Sequence, residues 1–435
     1  MGRVSRSSAI ILALLGCIAA ATAYSCDPAT CVAPNCHCAS GTAPLPVEQM
    51  PQFIVYTHDD STAELSTGLI NQTITGYKNP NGCAIPVTYF TMQGFTDCAK
   101  VQAAWKTGSE IATHTWSHLA MPPGFKGGLG SIDKEIASVK DWLINNCSIP
   151  AADVVGFRSP FLVHNPTYRQ ALLNDGFLYD SSINEHWPMP SSPTGASRLY
   201  PYTMDAGIPQ DCSWISGNAC TATEAYAGLW EVPVWTLQTD TYPTPAYAMD
   251  PCTGENGPCD TAQLLKSFFN TSYNGNKAPV PIYIHSPWLS KNIQPIRNFI
   301  QWVTSNYPDA YFVTMHQLVQ WMENPVPKNK MNDWLGCVPG GNAAGAVGAG
   351  VAAPAPAPAP APQAAPAAPV PEAKPVAPAA PLVEALPAPT VVPAEARVDP
   401  NAVPAASSAT QLQRSATTFF GAVAVTVVAG FMQFY

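Results

Sequence analysis

The stretch Gln52-Phe53-Ile54-Val55-Tyr56-Thr57-His58-Asp59-Asp60 decides how this chain is read. A short apolar run of this kind has the length and composition of a buried strand, and here two adjacent carboxylates follow it. Comparable runs recur at Ile85 to Met92, Glu110 to Thr113, Val154 to Phe157, Phe177 to Tyr179, Leu229 to Leu237, Val280 to Ile284 and Ala310 to Thr314. Amphipathic stretches such as Ile132 to Asn146, Ala262 to Tyr273 and Ile293 to Asn306 separate several of them. Strand, helix, strand alternation implies a mainly parallel sheet, so the expected fold class is α/β, a single distorted (β/α) barrel. Catalytic groups of such barrels sit at the C-terminal ends of the strands, where Asp59 and Asp60 fall.

A second string, His114-Thr115-Trp116-Ser117-His118, follows the run Ile111-Ala112-Thr113 in the same way. Two histidines four apart can face one another on a helical turn and chelate one ion, with a carboxylate as third ligand. Three protein ligands leave positions open for water and substrate, which is the signature of a catalytic metal site. Adjacent acids point differently, so one aspartate can bind the metal while its neighbour takes a proton from the activated water. The structural alternative makes Asp59-Asp60 a helix cap and the histidines surface residues. Arg158 and His285 lie at two further strand ends. Arg158 can orient a carboxylate and His285 can serve as a general acid, or they can be an ordinary ion-pair partner and an edge residue.

The flanking segments suggest an exported protein. Residues 1–23 read as a secretory signal, with Arg3 and Arg6 ahead of an apolar run and Ala21-Thr22-Ala23 as a cleavage site. Of the 13 cysteines, Cys17 leaves with that signal and the remainder form an even set, which suits disulfides. The cluster Cys26, Cys31, Cys36 and Cys38 lacks the paired spacing of a zinc ribbon and is expected to form disulfides too. Asn71-Gln72-Thr73, Asn146-Cys147-Ser148 and Asn270-Thr271-Ser272 are glycosylation acceptors on an exported surface. The catalytic domain is expected over 24–338 and a disordered Pro/Ala-rich stalk over 339–409, extended by its prolines. Residues 410–435, a polar spacer and an apolar tail, match the signal for a glycolipid (GPI) anchor, which would tether the protein to the outer cell surface.

Taken together, these residues resemble the metal-dependent polysaccharide deacetylases, specifically the arthropod-type chitin deacetylases. Thr57 to Asp60 resembles that family's T-F-D-D motif, His114 to His118 its H-[ST]-x-x-H, Arg158 to Phe161 its R-x-P-[YF], and Ile284-His285 its closing L/I-x-H. The cysteine cluster, Asn79 to Cys83, Tyr179 to Ile183, Tyr200 to Thr203 and Leu229 to Pro233 extend the likeness across the folded region. The resemblance implies that Asp60, His114 and His118 ligate zinc or another divalent transition metal, and that Asp59 is the general base, tethered by Arg158. It further implies that His285 protonates the leaving nitrogen with Asp180 holding its imidazole, and that the Phe161 N–H stabilises the oxyanion. Trp187 and Trp288 are the expected sugar-stacking residues. His58 stands where the family usually has Phe, and Phe161 where it usually has Tyr.

The implied reaction is N-deacetylation of chitin or a similar neutral N-acetylated glycan. A formal charge of −9 and the lack of a basic cluster disfavour nucleic acid as a partner, and a membrane enters only through the lipid anchor. Acetylxylan or bacterial wall glycan are alternative substrates of the same fold, and a silent glycan-binding protein is the non-enzymatic alternative. Against the last, all four of Asp59, Asp60, His114 and His118 are present; a zinc peptidase is disfavoured by the lack of H-E-x-x-H.

Overall fold

The structure, a computed structural model, describes residues 24–185, 198–210, 212, 217–220, 224–237, 249–253 and 259–337. The signal, stalk and anchor segments, and Trp187, lie outside the described residues.

Strand β1 spans Gln52–Asp60, longer than its apolar run, because its second half is paired on both edges. Thr57 to Asp60 lie in parallel register with Thr88 to Thr91 of β2 (Thr88–Thr91), and Ile54 to His58 with the strand that ends at Ile284. The sheet continues in parallel through β3 (Glu110–Thr113), β4 (Gly156–Phe157) and β5 (Tyr179–Asp180). Next come β6 (Asn184–Glu185), β7 (Tyr202–Thr203), β8 (Trp230–Glu231), β9 (Val234–Trp235), β10 (Val280–Ile284) and β11 (Ala310–Val313). The main sheet runs β10-β1-β2-β3-β4-β5-β8-β7, with β11 also paired to β1. Among the described strand pairs, β7 with β8 alone is antiparallel. The strand expected over Leu229 to Leu237 divides into β8 and β9 around Pro233, which has no N–H to give a ladder.

Helices α1 (Glu64–Ile74), α2 (Cys98–Lys106), α3 (Ile132–Asn145), α4 (Pro166–Asn174), α5 (Thr261–Asn274), α6 (Ser286–Asn306) and α7 (Met315–Glu323) accompany the sheet. Local side chains start them: Asp97, Ser131, Asn165, Asp260 and Thr314 each accept from a backbone N–H in the first turn. Helix α6 begins directly after His285, earlier than its apolar periodicity suggests, and kinks at Asn292 ahead of Pro295.

Both faces of β1 are buried, as a parallel strand requires. Ile54 and Tyr56 join Leu69, Ile70, Leu264, Phe268, Phe299 and Ile300 between sheet and helices. Phe53 and Val55 face the other way, into a cluster with Phe90, Tyr179, Trp230, Trp235, Tyr283 and Trp321. The barrel is partly closed. β9 lies against β10, and the buried Arg198 spans this side, pairing with Glu185 at 2.8 Å and donating to the Thr236 carbonyl at 2.9 Å.

All twelve expected cysteines are bridged, as Cys26–Cys38, Cys31–Cys36, Cys83–Cys337, Cys98–Cys147, Cys212–Cys220 and Cys252–Cys259. The N-terminal cluster is thereby consumed by disulfides and is not a metal site.

Tyr179 lies across Gly156, its registered partner, and its hydroxyl donates to Glu110 Oε1 at 2.7 Å. A Cβ at position 156 would come within 2.1 Å of that ring. Gly156→Ala is therefore expected to cost about 1–3 kcal/mol of stability in a urea or thermal melt, through overpacking of a buried contact.

Candidate active site

Parallel pairing brings the C-terminal ends of β1 to β5 and β10 to one rim, so residues far apart in sequence converge there. Asp60 closes β1 with φ 88, a left-handed conformation that turns its carboxylate away from the strand. Its Oδ1 lies 2.9 Å from His118 Nε2 and 3.9 Å from His114 Nε2. All three side chains offer a ligand atom within 4.8 Å of one another. The tautomer is fixed at His114: its Nδ1–H donates to the Arg158 carbonyl at 2.7 Å, leaving the Nε2 lone pair for an ion. Burial pushes the His114 imidazole down to about 4, so it is neutral, as a ligand must be. Burial alone would raise the Asp60 carboxyl, but the His118 hydrogen bond and the nearby histidines hold it well below the usual range. Neither aspartate caps α1, whose N-cap position is Ala63.

The two histidines do not share a helical turn. They sit on an irregular loop after β3 that doubles back through left-handed Thr115 (φ 66) and His118 (φ 52). One side chain fastens that loop. Glu135 of α3, fully buried, accepts from the Ser117 N–H at 2.8 Å, the Ser117 hydroxyl at 2.9 Å and the Leu129 N–H at 2.7 Å. Glu135 was missed as a functional position, although an acid on the apolar stripe of Ile132, Ile136, Val139 and Leu143 is a visible signal.

Asp59 points to the barrel interior. Arg158 Nη1 donates to its Oδ1 at 2.8 Å and to Thr57 Oγ1 at 2.9 Å. The same guanidinium donates to the Ser181 carbonyl and hydroxyl at 2.9 and 3.0 Å, and it lies over the Phe90 and Tyr283 rings at 4.1 and 4.5 Å. Arg158 and Asp59 are both almost fully excluded from solvent. Phe161 follows β4 with φ 57, and its exposed ring packs 5.0 Å from the His118 imidazole.

His285 directly follows β10, which lies next to β1 in register. Asp250, not the expected Asp180, holds it. The Asp250 carboxylate accepts from the His285 N–H and from Nδ1, both at 2.8 Å. Asp180 sits on β5, on the far side of β1 to β4 from His285, where it accepts from the Ser182 hydroxyl at 2.6 Å and is registered beside Glu231. Burial raises both carboxyls of that pair. Asp250 carries no local sequence signal, because only the tertiary fold brings its loop to His285. Burial alone would lower the His285 imidazole, but the Asp250 hydrogen bond and charge, with Asp59 and Asp60 beyond, push it up to about 9.

One other expectation changes. Trp288 is a core residue, 8 % exposed, with its indole N–H spent on the Pro251 carbonyl at 2.9 Å, so it offers no open face for a sugar. His58 faces outward beneath α6, its Nε2 2.7 Å from the Ser286 hydroxyl, and burial pushes its imidazole down to about 4. It packs as a neutral ring on the reverse side of the strand from Asp59.

No family model matches the chain. It is 31% identical over 316 residues to chitin deacetylase 1 of Bombyx mori, covering 69% of this chain and 57% of that protein. Chitin deacetylase 8 of the same organism is 28% identical over 318 residues, covering 70% of this chain and 80% of its own. The chain is thus similar to two proteins named chitin deacetylases. It spans little more than half the length of the first of these relatives. Among solved structures, a family 4 carbohydrate esterase from Streptomyces lividans overlaps with 60% of this chain and 91% of its own at 14% identity and a TM-score of 0.34, a likeness too distant to bear on function.

Because His285 owes its raised value mainly to Asp250 once burial is overcome, Asp250→Asn should lower it. If the protonated imidazole is needed in turnover, the alkaline limb of the pH–rate profile should move down by about one unit or more, while metal content stays unchanged.

Proposed function

We propose that this protein is a metal-dependent hydrolase that removes acetyl groups from N-acetylglucosamine units of chitin or a related polysaccharide, releasing acetate and leaving glucosamine. The observation that carries the reading is the division of labour between two adjacent aspartates. Asp60 lies with the histidines, whereas Asp59 is pinned by Arg158. The likeness to two proteins named chitin deacetylases supports the substrate class.

The donor set suits a metal. Asp60 Oδ1 is buried without a hydrogen-bond donor satisfying it beyond the two imidazoles, and two neutral nitrogens with one carboxylate oxygen are an ordinary ligand set for zinc in hydrolases. A divalent transition metal held by Asp60, His114 and His118, zinc in the first place, would bring the pKa of a water from 15.7 toward about 7 and polarise the scissile carbonyl. Arg158 fixes one oxygen of Asp59, which leaves the other to take the proton from water as its oxygen bonds to the acetyl carbon. The Phe161 N–H, on the left-handed turn beside His118, is the candidate donor to the oxygen that gains charge. As the C–N bond breaks, His285 gives its Nε2 proton to the sugar nitrogen, its Nδ1 held by Asp250. Acetate and a free amine then leave.

The exported setting belongs to the same proposal and is supported by six disulfides. Residues 1–23 would be removed as a signal, and 410–435 would be exchanged for a glycolipid at the end of the 339–409 stalk.

Acetate release from chitin oligomers, acetylxylan and bacterial wall glycan, with and without chelator, tests the activity. Chelator-sensitive release from the chitin oligomers is expected, and release only from acetylxylan would reassign the substrate. Asp59→Asn should retain metal and lose turnover by at least about 10²-fold, whereas His114→Ala should lose both together. Phosphatidylinositol-specific phospholipase should free the protein from the cell surface, and continued retention would refute the lipid anchor.

A further inference from the structure

Six large hydrophobic side chains are exposed among the described residues, and four of them, Leu65, Phe95, Leu119 and Phe161, follow the C-terminal ends of β1, β2, β3 and β4. Chance burial failure would scatter them; here they gather on the rim that carries Asp59, His114 and His118. Phe95 is the extreme case. It is 91% exposed and holds a left-handed backbone conformation, φ 60, that an aromatic residue adopts only at an energetic cost.

The loop around Phe95 is nonetheless tightly fixed. Thr96 Oγ1 donates to the Met92 carbonyl at 2.7 Å and accepts from the Thr62 N–H at 3.1 Å, while the Asp97 N–H donates to the Thr62 carbonyl at 3.0 Å. The Met92 N–H in turn donates to the carbonyl of Asp60 at 3.1 Å. These bonds tie the β2 loop to the segment between Asp60 and α1, so Phe95 and Leu65, 66% exposed on the first turn of α1, belong to one fixed lip. Phe95 follows Thr91, the registered partner of Asp60, by four residues, which keeps it within about 14 Å of that position. Of the charges beside the lip, Glu64 and Lys100 pair with each other and Asp97 is engaged as the cap of α2, accepting from the Ala99 N–H at 2.8 Å.

We infer that Leu65 and Phe95 form a docking lip for the flat face of packed, N-acetylated glycan chains. The inference rests on the proposed activity, since it adds a form of substrate to that site. A side chain standing almost wholly clear of the protein cannot enclose a single chain, but it can lie against an extended surface. Packed pyranose rings present C–H faces and acetyl methyls to such a surface, and an uncharged apolar lip matches them without desolvating an ion. The pinned loop prepays the ordering of the contact, which explains the retention of a strained, exposed aromatic.

The test compares the full chain with Phe95→Ala/Leu65→Ala and with Phe95→Trp. Binding to insoluble chitin particles is measured by depletion in the Asp59→Asn background, so that the particles are not consumed, and acetate release is measured on particles and on soluble oligomers. The double variant should bind particles about tenfold or more weakly and lose particle turnover in proportion, with oligomer turnover and melting temperature unchanged. Phe95→Trp should retain the parent's binding, and a loss as large as that of the double variant would overturn the inference. Unchanged particle binding in the double variant, or no particle binding by the parent, would overturn the inference. So would an equal loss on oligomers, which would make the lip a single-chain contact, or a parent dimer that the double variant dissolves, which would make it a self-association surface. Absence of acetate release from every glycan by the parent would overturn the proposed activity instead, leaving the docking lip to be judged on the binding arm.

Discussion

The ion pair between Arg158 and Asp59 is the constraint on which the site depends. A guanidinium and a carboxylate are both withdrawn from water inside the barrel, and neither could remain there alone; removing one partner of such a pair typically costs about 3–5 kcal/mol. The fold meets this demand with neutral groups. The Thr57 hydroxyl, the Ser181 hydroxyl and the Ser181 carbonyl take three of the other four guanidinium hydrogens, and the group lies over the Phe90 and Tyr283 rings. These partners come from β1, β2, the residue after β5, and β10, so the pair fixes strand register as well as the orientation of Asp59. The backbone of the same Arg158 receives His114 Nδ1–H, which joins the ion pair to the metal ligands through a single residue.

Adjacent acids acquire separate roles from this geometry. Asp59 remains in the extended strand and faces the interior, whereas Asp60 breaks into the left-handed region and meets His118. A sequence shows the pair but not the change of backbone that separates them. The histidines illustrate the same limit: their spacing of four suggested a helical turn, yet the loop reaches the same convergence through two left-handed residues and the Glu135 clamp.

The strands, their parallel order and the rim placement of Asp59, Asp60, His114, His118, Arg158 and His285 were legible because each depends on local apolar runs and on the rule that parallel strands present their C-terminal ends together. Partnerships across the fold were less legible. Family resemblance pointed to Asp180 for His285, but β5 and β10 stand apart in the sheet, and a loop residue with no motif of its own, Asp250, fills the place. Trp288 illustrates another ambiguity, since an indole that packs in the core and one that stacks on a sugar look alike in sequence. Only its burial and its bond to Pro251 decide between them.

Diffraction at the zinc absorption edge, from crystals of the protein grown with zinc, shows which aspartate holds the ion. One anomalous peak is expected at about 2.0–2.2 Å from Asp60, His114 Nε2 and His118 Nε2, with Asp59 outside the coordination sphere and still on Arg158. A peak coordinated by Asp59, or no peak between the two histidines, would contradict it.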